Sequence, residues 1–268
     1  NEYVIKRMAR ILTRTVLTLQ KQLRRGSFQP DAYELSFHFA EELESVKVSL
    51  SPEEKMRLQG RIDRIDVAED AEHVYVKVID YKSGNKQFDL VALYYGLQLQ
   101  LVVYMNAALE YEAKKHPGKE IVPAALLYYH VEDPAVETPV ELSEEELDAK
   151  LLKQLKMNGV VNSDPYVVEK LDSEMEDKSD IIPVERKKDG SFSARSSILE
   201  AGDLQTVSEY VSRKIAAIGR EILDGKIALN PYEKGQETAC TWCAYRRVCG
   251  FEPSMPGCGK RSLEGMSG

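Results

Sequence analysis

Two neighbouring apolar segments each run into aspartates where a strand that only had to pack would stay hydrocarbon. Residues 58–67 carry Gly60-Arg61-Ile62-Asp63-Arg64-Ile65-Asp66, and residues 74–82 end in Val78-Ile79-Asp80-Tyr81-Lys82. Alternation and β-branched content predict a strand for each, joined by the polar tip at 68–73. Side chains alternate along a strand, so Val74, Val76, Val78, Asp80 and Lys82 share one face. An apolar face therefore continues into a carboxylate and an ammonium.

Hairpin register sharpens the point. With the tip between Ala71 and Glu72, Asp63 comes opposite Asp80 on the same face, the two backbones about 4.5–5.5 Å apart. Facing carboxylates repel. A divalent cation between them reverses that sign, and oxygen ligands suit Mg²⁺ or Mn²⁺. A slip of one residue would put the pair on opposite faces. Lys82, one pleat further, is placed to stabilise charge building on a phosphate or to position an attacking water. The chemistry expected is phosphodiester hydrolysis. The purely structural alternative makes Asp63 and Asp80 solvated edge residues balanced by Arg61, Arg64 and Lys82. Gln100 and Tyr104 lie four apart, on one helix face, and either project into the same site or satisfy each other in the core.

The rest of the chain predicts an α/β domain with a mixed sheet. Residues 2–25 read as a helix with the apolar stripe Val4, Ile5, Met8, Ile11, Leu12, Thr15, Leu19 and Leu23, stopped by Gly26. Strands are expected at 33–39, 46–50 and 122–131. One apolar helix, N-capped by Asp89, is expected to run to about Lys115, where Pro117-Gly118 ends it. Gln98 and Gln100 near its centre argue for a buried helix over a membrane span. Ser143 and Glu146 form a capping box opening a helix over 143–157, and 203–223 repeats at helical spacing up to Gly225. Residues 160–200 read as an irregular insertion with a short hairpin around Asp189-Gly190. The expected organisation is a basic N-terminal helix at 1–30, a core at 31–230 and a cysteine-rich segment at 231–268.

The net charge of −8 argues mildly against a polyanionic partner, but the charge is uneven. Residues 1–30 hold seven basic side chains, Lys6 to Arg25, against Glu2 alone. Such ends are compatible with local DNA contact; the alternative is a solvated helix face. All four cysteines, Cys240, Cys243, Cys249 and Cys258, fall within 19 residues. That clustering excludes a disulfide scaffold and points to the cytoplasm. The spacing Cys240-x2-Cys243-x5-Cys249 is a metal or cluster signal compatible with zinc or with iron–sulfur. No signal peptide is visible, and a chain opening on Asn1 rather than Met is expected to be a fragment or a processed product.

Taken together, Gly60 to Asp66, Ile79-Asp80-Tyr81-Lys82-Ser83-Gly84, Gln100-x3-Tyr104, Asn230-Pro231-Tyr232 and the three cysteines resemble the RecB-like branch of the PD-(D/E)XK nucleases. Within that branch the chain looks like the nuclease domain of AddB, from AddAB-type helicase–nucleases, over nearly its whole length. The resemblance implies a restriction-endonuclease-like core with a C-terminal 4Fe-4S region. It makes Asp63 and Asp80 metal ligands, the backbone carbonyl of Tyr81 a further one, Lys82 catalytic, and Gln100 and Tyr104 supporting residues. Cys240, Cys243 and Cys249 would hold the cluster. The implied work is exonucleolytic resection of double-strand DNA ends for recombinational repair, with an AddA-type helicase partner and ATP used elsewhere in the complex.

The chain departs from that pattern in two places. The family takes one cluster cysteine from upstream, and no cysteine precedes Cys240. It also takes a helical histidine as a metal ligand, and the first histidine here is His38, on an expected strand. A native cluster is therefore expected only if Cys258 substitutes, and weak or absent activity is expected of the fragment alone. The competing class is a non-catalytic DNA-end binding module; a free-standing redox protein would leave the hairpin carboxylates unexplained.

Overall fold

The computed structural model describes residues 2–37, 43–136 and 142–263. Its core is a six-stranded mixed sheet with helices on both faces. The strands are β1 (Gln29–Ser36), β4 (Arg61–Glu69), β5 (His73–Lys82), β6 (Glu120–His130), β7 (Asn158–Asn162) and β8 (Ile198–Leu199), in that spatial order. β1, β4 and β5 run antiparallel in turn, and β6 lies parallel to β5. The parallel step needs a crossover, supplied by α2 (Leu90–Tyr94) and α3 (Gln100–Lys115).

One face of the sheet, with Ile65, Val74, Val76 and Val78, packs on Leu101, Val102, Met105 and Ala108 of α3 and on Leu204 and Val211 of α6 (Ala201–Leu223). The other face, with Tyr75, Ile79 and Leu127, packs on Phe28, on α5 (Pro165–Leu171) and on Ile181, Ile182 and Val184. Even positions of β5 face α3 and odd ones face away, as alternation requires.

The expected single helix from Asp89 is two helices. Asp89 is the N-cap, its carboxylate accepting from the amides of Val91 at 2.8 Å and Ala92 at 3.1 Å. Gly96, at φ 86°, then closes α2, with Gly96 N donating to Leu93 O and Leu97 N to Ala92 O. That left-handed turn costs a glycine little and ends the helix. The chain restarts at Gln100, which therefore stands in the first turn of α3.

Three further expectations change. The expected strand at 33–39 begins earlier, at Gln29, because edge position tolerates Pro30; His38 and Phe39 lie outside the described residues. The strand expected at 46–50 is β2 (Lys47–Ser49), paired with β3 (Lys55–Arg57), which is too short to show periodicity. The segment 160–200 is not wholly irregular, since it supplies most of β7, all of α5 and β8. Its runs are each too short for a sequence period, although Asp164 as N-cap, accepting from Tyr166 N, with Pro165 at the first helical position, marks the start of α5. The hairpin around Asp189-Gly190 is present, bracketed by the bridge between Arg186 and Phe192.

α1 (Glu2–Arg24) forms as expected, but its apolar stripe is not buried along its length. Val4, Ile5, Met8 and Leu12 are exposed, while Thr15, Thr18 and Gln22 nearer its end are buried against the body. Several of its cations are paired: Arg10 and Arg14 with Asp133, Lys21 with Asp148. The helix α4 (Glu144–Gln154) opens on the expected capping box. Beyond α6, β9 (Tyr232–Lys234), β10 (Glu237–Thr238) and β11 (Arg261–Ser262) form a small sheet around the cysteine segment. Among the described residues, no helix is long and apolar enough to cross a membrane.

Candidate metal-dependent hydrolytic site

The hairpin register is the expected one. β4 and β5 pair from Glu69 with Val74 up to Arg64 with Ile79, which carries Asp63 towards Asp80. The ladder stops one pair short of them. There the Asp63 carboxylate takes over the acceptor role: Tyr81 N donates to Asp63 Oδ2 at 2.8 Å. The strands part at the point where the two aspartates stand.

Asp80 is 2 % exposed, so the solvated-edge reading fails for it. Arg61 pairs with Glu34 and Arg64 with Asp66, so neither balances the site. Burial holds the Asp80 carboxyl above the usual carboxylate range, against the pull of Lys82, and the charge of Asp63 adds to the rise. Asp80 Oδ2 is buried and touches the Lys82 ammonium as an ion pair. Lys82 is its partner among the described residues.

Lys82, Gln100 and Tyr104 come together as a chain. Lys82 Nζ donates to Gln100 Oε1 at 3.2 Å, and Gln100 Nε2 donates to Tyr104 OH at 2.7 Å. The restart of the helix at Gln100 is what brings that amide to the lysine. Tyr104 is buried edge-on against Phe37, ring centroids 5.6 Å apart. A side chain at Gly60 would meet the Phe37 ring at 3.0 Å and the Tyr104 ring at 3.4 Å, so glycine gives these rings their place at the start of the hairpin. The two readings of Gln100 and Tyr104 merge: they satisfy each other, and they also reach the lysine.

Four residues here were not singled out from sequence. Tyr128, on β6, lies under Lys82, whose Nζ is 5.7 Å from its ring centroid. Burial pushes the Tyr128 hydroxyl up to about 12, with Asp80 adding to the rise. Lys86 Nζ lies 5.8 Å from the same centroid. His130 Nε2 donates to Lys86 O at 2.7 Å, since a carbonyl can only accept, and Asn158 Nδ2 donates to the same oxygen at 3.1 Å. Asn158 Oδ1 accepts from Phe88 N at 3.0 Å. Their only sequence signal is position: His130 ends β6 and Asn158 begins β7, and the antiparallel register puts both at the end of the sheet where β5 ends.

On the opposite face of the hairpin, Asp66 accepts from Arg64 Nε at 2.5 Å and Nη2 at 2.8 Å and pairs with Lys77 Nζ at 2.9 Å. Arg64 Nη1 also donates to Tyr81 OH at 3.3 Å. This buried cluster was not foreseen.

The donor set at the sheet end fits a hard divalent cation. Asp63 stands close enough for its charge to raise the Asp80 carboxyl, and the Asp80 carboxylate is buried with Lys82 as its partner. Mg²⁺ sites commonly use one or two carboxylates and complete their shell with water and substrate phosphate. Cys240, Cys243, Cys249 and Cys258 are free thiols, and among the described residues no three histidine, cysteine or acidic side chains converge as a metal group.

Residues 1–250 match the PD-(D/E)XK nuclease superfamily. The chain is 41% identical over 255 residues, 95% of its length, to an ATP-dependent helicase/deoxyribonuclease component from Desulforamulus reducens. It is 41% identical over 271 residues, 98% of its length, to the protein of the same name from Lachnoclostridium phytofermentans, and 38% identical over 256 residues, 96% of its length, to that of Clostridium tetani. In each case it spans 22% of the relative's own length.

Proposed function

The chain belongs to the PD-(D/E)XK nuclease superfamily, and from that premise we propose that it is the Mg²⁺-dependent DNA-cutting unit of a helicase–nuclease. The observation that carries the reading is the buried Asp80 carboxylate, paired with the Lys82 ammonium and raised by the nearby charge of Asp63, where β4 and β5 part. Such a pair is costly without a cation and useful with one.

In this reading Asp63, Asp80 and the carbonyl of Tyr81 hold Mg²⁺ or Mn²⁺. When bound, the ion supplies Lewis-acid polarisation of a phosphate oxygen and lowers the pKa of water. Lys82, held between Asp80 and Gln100, keeps a donor for the attacking water or for a non-bridging phosphate oxygen. Gln100 orients that ammonium, and Tyr104 orients Gln100. Water adds to phosphorus, the P–O bond to the leaving sugar breaks, and a phosphate monoester and a hydroxyl result.

The wider setting rests on the relatives. Their shared name joins an ATP-dependent helicase to a deoxyribonuclease, which supports DNA cutting beside a helicase; we extend that reading to an exonuclease acting on DNA ends in cytoplasmic recombinational repair, with an AddA-type helicase partner and ATP spent elsewhere in the complex. A 4Fe-4S cluster on Cys240, Cys243 and Cys249 is supported by their spacing alone; absorbance of anaerobic preparations tests it. The nuclease test is cleavage of linear DNA with Mg²⁺ by the full-length protein that contains this chain, against Asp80→Ala. Cleavage by the first and loss in the second is the expected outcome. Equal cleavage removes the catalytic assignment, and DNA binding without cleavage by either leaves an end-binding module.

A further inference from the structure

Cations around the hairpin come with carboxylates: Lys82 with Asp80, Arg64 and Lys77 with Asp66. Lys86 does not. Among the described residues no carboxylate stands within ion-pair distance of its ammonium, and no side chain or carbonyl accepts from it. Yet it is not a free surface lysine. It is half-buried and stands beside Lys82 at the Tyr128 ring. Burial lowers its pKa, the charge of Lys82 lowers it further, and Asp80 opposes both.

The main chain at this residue is held firmly for a loop. Lys86 N donates to Gly84 O at 2.9 Å. Lys86 O takes two donors, from His130 and Asn158, and the same asparagine accepts from Phe88 N. Two strand ends thus pin the segment between β5 and α2, so the position of Lys86 is specified by the sheet. A pinned, partly desolvated ammonium next to a second ammonium is electrostatically unfavourable until an anion arrives between or beside them.

We propose that Lys86 binds a backbone phosphate of the nucleic-acid substrate, adjacent to the phosphate faced by Lys82. This rests on the nuclease reading and extends it to how the substrate is held. Lys82 is committed to Asp80 and Gln100, whereas Lys86 has all three donors free. A point charge of this kind reads phosphate and not base sequence.

The test measures binding of linear DNA to the full-length protein, with Ca²⁺ replacing Mg²⁺ so that the DNA survives, across a salt series. Lys86→Ala is expected to weaken binding equally for different DNA sequences. It is also expected to flatten the slope of log affinity against log salt by about 0.7–0.9, the loss of one phosphate contact. Lys86→Arg is expected to restore that slope. With Mg²⁺, Lys86→Ala should raise KM by a larger factor than it lowers kcat, with an unchanged melting temperature. An unaltered slope, a fall in kcat at constant KM, or a melting loss that Lys86→Arg does not repair each overturns the proposal. Wild-type protein that binds but does not cleave defeats the nuclease reading alone, because the salt slope still reports on Lys86. Wild-type protein that does not bind DNA defeats both.

Discussion

The amide of Tyr81 donates to Asp63 Oδ2 at 2.8 Å, so a side-chain carboxylate on one strand does the work of a main-chain carbonyl for its neighbour. One oxygen of Asp63 is thereby fixed by the fold, and the other is free to meet a cation beside Asp80. Asp63→Asn retains an oxygen acceptor for Tyr81 N but removes the charge. Its melting temperature should stay close to wild type, while Mn²⁺ affinity, read by calorimetry, falls by about 10- to 100-fold. Unchanged Mn²⁺ affinity would take Asp63 out of the cation site.

At the far end of α3, Glu112 is 0 % exposed and lies near Asp31, Lys115 and His116. Burial pushes its carboxyl up to about 7, and the charge of Asp31 adds to the rise against the pull of Lys115. A folded pKa above the ordinary 4.5 means that the protonated form suits the fold. Its stabilising contribution is full below about 4.5 and is lost as pH rises through about 7, at no more than about 1.4 kcal/mol per pH unit. Glu112→Gln should therefore lose less stability than wild type across that window. Parallel denaturation midpoints for the two proteins through the window would contradict the assignment.

Lys234 on β9 forms an ion pair with Asp89, the N-cap of α2, and so ties the cysteine-bearing segment to the loop that carries Lys86. The pair is partly exposed, about a third for each side chain, so its own worth is small, about 0.2–1 kcal/mol. Asp89→Ala also removes the cap, typically about 1 kcal/mol more. In a double-mutant cycle Asp89→Ala is expected to cost more than Lys234→Ala, with a coupling energy under about 1 kcal/mol. Equal costs for the two single variants would mean that the cap contributes nothing.

Features that a local rule encodes are legible in the sequence. Asp63 and Asp80 declared their register because a period of two ties identity to face, and Asp89 and Ser143 declared helix starts because capping is a three-residue event. Lys86, Tyr128, His130 and Asn158 were silent. Each looks ordinary in its own segment, and only the order of β5, β6 and β7 in the sheet brings them together. The stripe on α1 misled for the opposite reason. Periodicity reports that a face is apolar, not that anything in this chain covers it, and Val4, Met8 and Leu12 stand exposed.

Asp66 anchors a buried charge cluster on the hairpin. It is 0 % exposed and serves two cations, Arg64 at 2.5 and 2.8 Å and Lys77 at 2.9 Å, all on the face away from Asp80. Burial holds the Lys77 ammonium below its ordinary pKa, and Asp66 is what opposes that fall. Asp66→Ala strands both charges in an apolar setting, and removing one partner of a buried ion pair costs about 3–5 kcal/mol. Replacing the set by hydrocarbon, as Arg64→Met with Asp66→Leu and Lys77→Met, leaves no stranded charge and is expected to recover most of that loss. The triple variant also removes the donor from Arg64 Nη1 to Tyr81 OH, which steadies the residue between Asp80 and Lys82. Stability and chemistry should therefore separate: urea unfolding near wild type, with a lower kcat and unchanged affinity for DNA in Ca²⁺. A triple variant as unstable as Asp66→Ala would show that the charges themselves stabilise this hairpin, and full kcat would show that Arg64 has no hold on the site.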